Sequence, residues 1–151
     1  MQWHAVPHRV AHSASARQRT IFMDSECIRT ELAAALDRHK NAIAGRDDME
    51  SRVSAAATLF RDVVHNIHPF MDGNGRMGRM LVAWSLHDRI GVFLPLTNGH
   101  RKSRKKYEAV ISRVARSMHD SAAPLRSHIL ECVAYRACAL RSTMTRSDVH
   151  V

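Results

Sequence analysis

The stretch from His68 to Arg79 reads HPFMDGNGRMGR, and it brings an imidazole, a carboxylate, a Gly-Asn-Gly turn and two guanidinium groups into twelve residues. It lies between two segments whose apolar residues recur with the period of an α-helix. Pro69 disfavours helical geometry at His68, so we expect the preceding helix to end there. A new helix is predicted to begin near Gly75 or Arg76, which makes the stretch a loop that leads into a helix N-terminus.

Helical periodicity continues on both sides of this loop and predicts an all-α fold. The predicted helices run from about Asp24 to Gly45, from Asp47 to His68, from Gly75 or Arg76 to Gly91, across Tyr107 to Met118, and onward from Pro124. In the third of these helices, the stripe predicted to face inward consists of Met77, Met80, Leu81 and Trp84.

Strand-like alternation is nearly absent, apart from one short extended piece around residues 19–22. We therefore expect an irregular segment over residues 1–19, one helical domain over residues 20–140 and a polar tail over residues 141–151.

Composition narrows the partners and the compartment. The excess of 23 Lys and Arg over 14 Asp and Glu gives a net charge of +9, which favours an anionic partner such as a nucleotide, nucleic acid or an acidic protein surface. Three cysteines without a CxxC pair argue against a disulfide framework or a zinc site and favour a reducing compartment. We expect neither a transmembrane segment nor a secretory signal peptide, because no apolar run approaches the roughly 20 residues of a membrane helix.

The residues of the loop have the chemistry of a phosphate site. Consecutive N–H groups in a Gly-rich turn at a helix N-terminus can cradle an anion, and Asn74 can add a side-chain amide. Arg76 and Arg79 share one face of the new helix and can each bind phosphate oxygens with two N–H groups. Because cations at a helix N-terminus oppose the helix dipole, their placement favours a bound anion.

Two further residues suggest a reaction on that phosphate. Asp72 offers a hard carboxylate of the kind that holds Mg²⁺ beside phosphates. His68 has an imidazole that can accept a proton from a hydroxyl near neutral pH. Each residue alone has an ordinary structural explanation, but together they predict attack of a hydroxyl on a nucleotide phosphate.

The stretch resembles the signature of the Fic family, H-P-F-x-[D/E]-G-N-G-R-x-x-R, at every fixed position. The resemblance implies an all-α helical bundle of Fic type, with the catalytic loop between two central helices and a short β-hairpin flap near the N-terminus. It also implies a protein adenylyltransferase, which transfers AMP from ATP, with Mg²⁺, to a Ser, Thr or Tyr hydroxyl of a target protein and releases pyrophosphate.

The resemblance assigns a role to each residue of the signature. These roles are general base for His68, Mg²⁺ ligand for Asp72, anion hole for Gly73, Asn74 and Gly75, phosphate contacts for Arg76 and Arg79, and inward packing for Phe70. His68, Asn74 and Arg76 are taken as the catalytic residues, and Phe70, Gly73, Asn74, Gly75, Arg76 and Arg79 as the nucleotide-binding ones.

Target binding and inhibition have weaker signals. Family members bind the target segment along the flap, for which the candidate here is near Arg17–Phe22, with Ile21 and Phe22 as clamp residues. Many members carry an inhibitory helix of pattern [S/T]-x-x-x-E-[G/N]. Ser127 and Glu131 fit its first part, but Cys132 breaks it, so we expect any inhibition to come from a separate, antitoxin-like partner or a missing segment.

Two alternatives stay open. The same fold could transfer the γ-phosphate or another nucleotide, or remove AMP, although intact Gly73 and Arg76 favour AMP transfer. A non-catalytic module that binds nucleotide or nucleic acid through the basic cluster His100–Lys106 is the second alternative.

The expected partners are ATP and a target protein that bears a hydroxyl side chain; we expect neither a membrane nor nucleic acid. The expected location is the cytoplasm, or the cytoplasm of another cell into which the protein is delivered as an effector.

Overall fold

The computed structural model describes residues 10–11, 20–21, 23–117 and 121–147, and of residues 10–11, 20–21 and 143–147 only the backbone. The described helices are α1 (Ser25–Ile43), α2 (Met49–Arg61), a π-helix (Asp62–Ile67), α3 (Asn74–Ile90), α4 (Arg101–Arg116) and α5 (Ala123–Ser147). The prediction of an all-α fold of Fic type, with the HPFMDGNGRMGR loop between two central helices, is confirmed. Among the described helices, none combines the length and apolar character needed to cross a bilayer.

A short hairpin precedes the helices. Strands β1 (Val10–Ala11) and β2 (Thr20–Ile21) pair antiparallel, with Val10 opposite Ile21. Strand β2 lies inside the segment Arg17–Phe22 that was the predicted flap, whereas β1 lies in a segment predicted to be irregular. Of the two predicted clamp residues, Phe22 lies outside the described residues.

Capping residues explain where several helices begin and end. The Asp48 carboxylate accepts the Ser51 N–H at 2.7 Å and so caps the start of α2. Gly91 ends α3 in a left-handed conformation, with φ of +68°, as predicted. Helix α5 continues to Ser147, so part of the predicted tail beyond Leu140 is helical. From Leu125 to Ser147 the sequence contains neither glycine nor proline to stop it.

Buried apolar residues form two clusters on either side of α2 and the π-helix. The larger cluster joins these elements to α3, α4 and α5, and the smaller joins them to α1. Fully buried large side chains include Phe60, Leu86, Leu125 and Ile129 in the first cluster and Leu59 and Ile67 in the second. The central pair is therefore α2, extended by the π-helix, with α3 against it.

The predicted inward stripe of α3 is half wrong. Met77 and Leu81 pack against the smaller cluster, but Met80 and Trp84 are 60% and 57% exposed. The residues that face the core are smaller, and among them is Gly78. A Cβ on Gly78 would lie 2.5 Å from the Val64 side chain and 2.6 Å from the ring of Phe60, so α3 approaches α2 and the π-helix on its glycine side.

Gly78→Ala should lower the free energy of unfolding by about 1–3 kcal/mol, because the added methyl group overlaps Phe60 and Val64. Urea denaturation measures this change. Gly75→Ala is the matched control on the same helix, since a Cβ there meets its nearest listed neighbour, an Arg79 nitrogen, at an ordinary 3.7 Å. Equal effects of the two substitutions would contradict the close approach at Gly78.

His39 links α1 to α3 through a buried hydrogen bond. Its Nε2 lies 3.0 Å from the Ser85 hydroxyl, and the side chain is almost fully buried. Burial lowers the pKa of His39, and the nearby positive charge of Arg52 acts in the same direction. The folded chain therefore holds this imidazole neutral at pH values where the unfolded chain binds a proton.

Stability should consequently fall as pH drops below about 6.5, the usual pKa of histidine, by at most about 1.4 kcal/mol per pH unit for His39. Urea denaturation between pH 8 and pH 5 would show this slope, and His39→Gln should reduce it. His87→Gln, a change of an exposed imidazole on α3, should leave the slope unchanged. An identical slope in wild type and His39→Gln would remove His39 as its source.

Candidate active site

The helix that leads into the loop changes its winding just before His68. After Arg61 the backbone becomes a π-helix, and the His68 N–H donates to the Val63 carbonyl at 3.0 Å. His68 itself is left-handed, with φ of 48° and ψ of 58°. The predicted end of the helix at His68 is confirmed, and the π-helix sets the direction from which the histidine enters the loop.

The His68 ring is oriented by a second carbonyl of the π-helix. Its Nδ1 lies 2.7 Å from the Val64 carbonyl oxygen. Because a carbonyl can only accept, Nδ1 carries the proton of the neutral ring and the lone pair belongs to Nε2. The arrangement gives a general base with its basic nitrogen on the side of the ring away from the helix.

A second imidazole nearby has a different character. His65 lies in the π-helix, and its ring is 6.3 Å from that of Phe60 in the core. Burial lowers the pKa of His65, and the charges of His68 and Arg61 lower it further. His65 therefore packs as a neutral side chain, which leaves His68 as the base of this loop.

Asn74 holds the two ends of the loop together. The Asn74 side chain is buried, its Oδ1 accepts the Phe70 N–H at 3.0 Å and its Nδ2 donates to the Phe70 carbonyl at 2.6 Å. The sequence suggested that this amide would contribute directly to an anion cradle. In the structure it bonds to the backbone at Phe70, so its first effect is to fix the shape of the loop between His68 and α3.

The two glycines of the loop differ. Gly73 caps α3 in a left-handed conformation with φ of 93°, and its carbonyl accepts the Met77 N–H at 2.9 Å. Gly75 lies within the first turn of α3 and is not left-handed, so the expectation of a positive φ at both glycines is wrong for Gly75. The first N–H groups of a helix have no acceptor within that helix, and here they begin at Asn74.

Charged side chains surround this helix start. The Asp72 carboxylate, 93% exposed, accepts the Gly73 N–H at 2.7 Å and pairs with the Arg76 guanidinium at 3.2 Å. Arg79 lies over the ring of Tyr107 on α4, with its guanidinium carbon 5.8 Å from the ring centre. Arg76 is thus held at the surface beside Asp72, and Arg79 is held against α4.

Tyr107 is the residue that connects α4 to the site. It is buried, and burial raises the pKa of its hydroxyl, against the opposing effect of the hydrogen bond from Arg79. The sequence suggested a core position or a contact near the nucleotide base, and the structure shows a buried ring in contact with Arg79. The basic cluster His100–Lys106 lies immediately before it, at the start of α4.

Glu131, the acidic residue of the partial inhibitory pattern, lies away from the two arginines of the motif. It pairs with Lys106 of α4, and this pairing lowers the pKa of the Glu131 carboxyl. His128 Nδ1 is 3.9 Å from the same carboxylate. Glu131 therefore ties α5 to α4, in keeping with its expected place in a structural helix.

Other possible ligand sites lie elsewhere. One cavity of about 500 Å³ opens between α1 and α2, and another of about 440 Å³ opens between residues 95–98, α4 and α5. Neither is lined by a residue of the motif. In the part of the chain that the structure describes, no three His, Cys, Asp or Glu side chains come together as a metal-binding group.

Sequence reasoning missed three contributors to this site. Val64 orients His68 through a backbone carbonyl, for which a side-chain pattern carries no signal. The contact between Arg79 and Tyr107 joins residues that are distant in sequence. Gly78 carried a usable signal, since a lone glycine inside a helical pattern often marks a close approach of another chain segment.

Comparison with known proteins places these features in a family. The model of the Fic/DOC family matches residues 4–86. The crystal structure of a Fic domain containing signaling protein from Bacteroides thetaiotaomicron superposes with a TM-score of 0.56 at 26% sequence identity. The alignment covers 89% of this chain and 51% of that one, so the chain spans about half the length of that protein. No curated protein matches the chain. The family match covers more than half of the sequence and includes the whole stretch from His68 to Arg79, and the chain therefore belongs to the Fic/DOC family.

Proposed function

We propose that this chain is a protein adenylyltransferase that transfers AMP from ATP to a Ser, Thr or Tyr hydroxyl of a target protein. The observation that carries the proposal is the hydrogen bond from His68 Nδ1 to the Val64 carbonyl, which leaves the lone pair of the neutral ring on Nε2. A base so oriented, at the entry to a phosphate cradle, suits activation of a hydroxyl that attacks phosphorus.

The start of α3 supplies the phosphate contacts in this proposal. N–H groups of its first turn, after the left-handed Gly73, would bind phosphate oxygens in the positive field of the helix N-terminus. Arg76 would exchange its pairing with Asp72 for the phosphates, and Arg79 would reach them from its position over Tyr107. The cations that oppose the dipole of α3 would thereby gain an anion to balance them.

Asp72 fits a Mg²⁺ ligand, because its exposed carboxylate offers hard oxygen donors next to the proposed phosphate positions. A bound Mg²⁺ would neutralise part of the charge on those phosphates. Asp72 also holds the Gly73 N–H, so the same carboxylate would shape the turn and hold the ion.

In the proposed reaction, the hydroxyl oxygen of the target forms a bond to the α-phosphorus of ATP. The hydroxyl proton passes to His68 Nε2. The bond from the α-phosphorus to the oxygen that bridges to the β-phosphate breaks, and pyrophosphate leaves with that electron pair. Arg76 and Arg79 stabilise the charge that develops on the phosphate oxygens. The hairpin β1–β2 precedes the motif in the chain, and we assign it the role of presenting the target segment.

Inhibition by a separate, antitoxin-like partner belongs to the same proposal. The internal candidate, Glu131, is engaged with Lys106 on another face of the domain. An inhibitor would therefore have to bring its own acidic group to Arg79.

Labelled ATP tests the reaction. With Mg²⁺ and a cell lysate, label should enter protein from α-labelled ATP and not from γ-labelled ATP. His68→Ala should reduce this labelling about 10²- to 10⁴-fold, the usual contribution of a general base. His87→Ala, which removes an exposed imidazole from the same helix bundle, is the matched control and should label normally.

Label from γ-labelled ATP alone would replace the proposal with a phosphotransferase. Failure of both labels to enter protein, with ATP binding intact by calorimetry, would favour a nucleotide-binding module. Unchanged labelling by His68→Ala would remove His68 as the base.

Asn74→Asp should open the loop, because it replaces the Nδ2 donor by an oxygen that faces the Phe70 carbonyl across 2.6 Å. We expect the free energy of unfolding to fall by about 1–3 kcal/mol, as for a buried polar group left without its partner. Labelling should fall about a hundredfold, since the base and the cradle lose their relative position. Asn98→Asp, in an exposed loop where the amide oxygen accepts the His100 N–H, is the control and should preserve both quantities. Full labelling activity in Asn74→Asp would show that the clamp is dispensable.

A further inference from the structure

One face of α3 carries a row of exposed residues at intervals of four, which we call the α3 stripe: Arg76, Met80, Trp84 and Asp88. Met80 and Trp84 lie next to each other in the middle of the row, 60% and 57% exposed. The ends of the row carry opposite charges, and both charged side chains are well exposed, at 72% for Arg76 and 88% for Asp88. Residues four apart in a helix are neighbours on its surface, so the stripe is a continuous ridge.

The apolar part of the stripe continues from the core. Met77 and Leu81, beside it on α3, pack against the cluster that joins α1 to the π-helix. Trp84 touches the ring of His39 on α1, at 5.9 Å between ring centres, but most of its surface faces outward. A large aromatic and a methionine that extend a buried cluster onto the surface are typical of a protein–protein contact.

The charges at the ends of the stripe indicate which partner fits. Two copies of α3 packed antiparallel about a two-fold axis at Val82 would place Met80 opposite Trp84 of the other copy. The same register places Arg76 opposite Asp88 at both ends of the contact. A surface that complements itself in shape and charge under a two-fold rotation is what an isologous dimer requires.

We propose that the α3 stripe is the interface of a homodimer in which two α3 helices pack antiparallel. Met80 and Trp84 form the apolar centre, and Arg76 pairs with Asp88 across the interface at each end. A membrane surface or nucleic acid fits less well, because the acidic end of the stripe would face an anionic ligand. Dimerisation through this face does not require the proposed activity.

Sedimentation velocity of the full chain in 0.15 M salt tests the interface, since a Debye length of about 8 Å screens the repulsion between two chains of charge +9. Wild type should sediment as a dimer whose dissociation constant lies below about 0.1 mM. Trp84→Glu should weaken dimerisation at least about tenfold, as expected for a central aromatic. Tyr135→Glu, which changes an aromatic that is 69% exposed on α5, is the matched control and should dimerise normally.

Charge reversal tests the register. Asp88→Arg should weaken the dimer because it places like charges opposite each other, and the double variant Arg76→Asp with Asp88→Arg should restore it. Restoration by the double variant is specific to the antiparallel pairing, because the reversed charges again face their opposites. Circular dichroism would establish that each variant is folded.

A wild-type chain that stays monomeric at 0.1 mM, taken as roughly the concentration of a weak dimer, would overturn the proposal. A dimer that tolerates Trp84→Glu would assign the contact to another face. A dimer lost on Asp88→Arg and not recovered by the double variant would exclude the antiparallel register.

Discussion

The position of α3 depends on the missing side chain at Gly78. Because that residue is a glycine, the helix lies directly against Phe60 of α2 and Val64 of the π-helix. The start of α3 is then brought close to the end of the π-helix, and the loop between them spans a fixed, short gap. The buried Asn74 amide can bond to the Phe70 backbone on both of its polar ends only because this gap is set. Core packing thus determines the geometry of a loop that is itself at the surface.

The π-helix adds the second constraint. Its wider winding presents two consecutive carbonyls to one residue: Val63 accepts the His68 N–H, and Val64 accepts from the His68 ring. Backbone and side chain of the histidine are therefore fixed by the same turn. Val64 also packs against Gly78, so the residue that orients the imidazole is the one that seats α3. The base and the cradle share a support, which favours a constant distance between them.

Local signals in the sequence predicted much of this fold. Proline after His68, the Asp48 cap and Gly91 each act within one turn, and each marks a boundary that the structure has. The apolar period of α3 was misleading, because periodicity locates apolar residues without showing which neighbour approaches closest. A glycine in that helix shifted the buried face and left Trp84 outside. The π-helix and the contact of Arg79 with Tyr107 depend on tertiary packing and backbone carbonyls, for which residue patterns carry little information.

The left-handed backbone at His68 has a further consequence. Residues with a Cβ adopt this conformation at a cost of roughly 1–2 kcal/mol, whereas glycine adopts it freely. The local backbone at this position would be more stable with a glycine, which has no imidazole. At this one residue, the demands of folding and of chemistry select different amino acids. The domain therefore has its most reactive side chain at a position of local instability, and that instability is offset by the helices on either side.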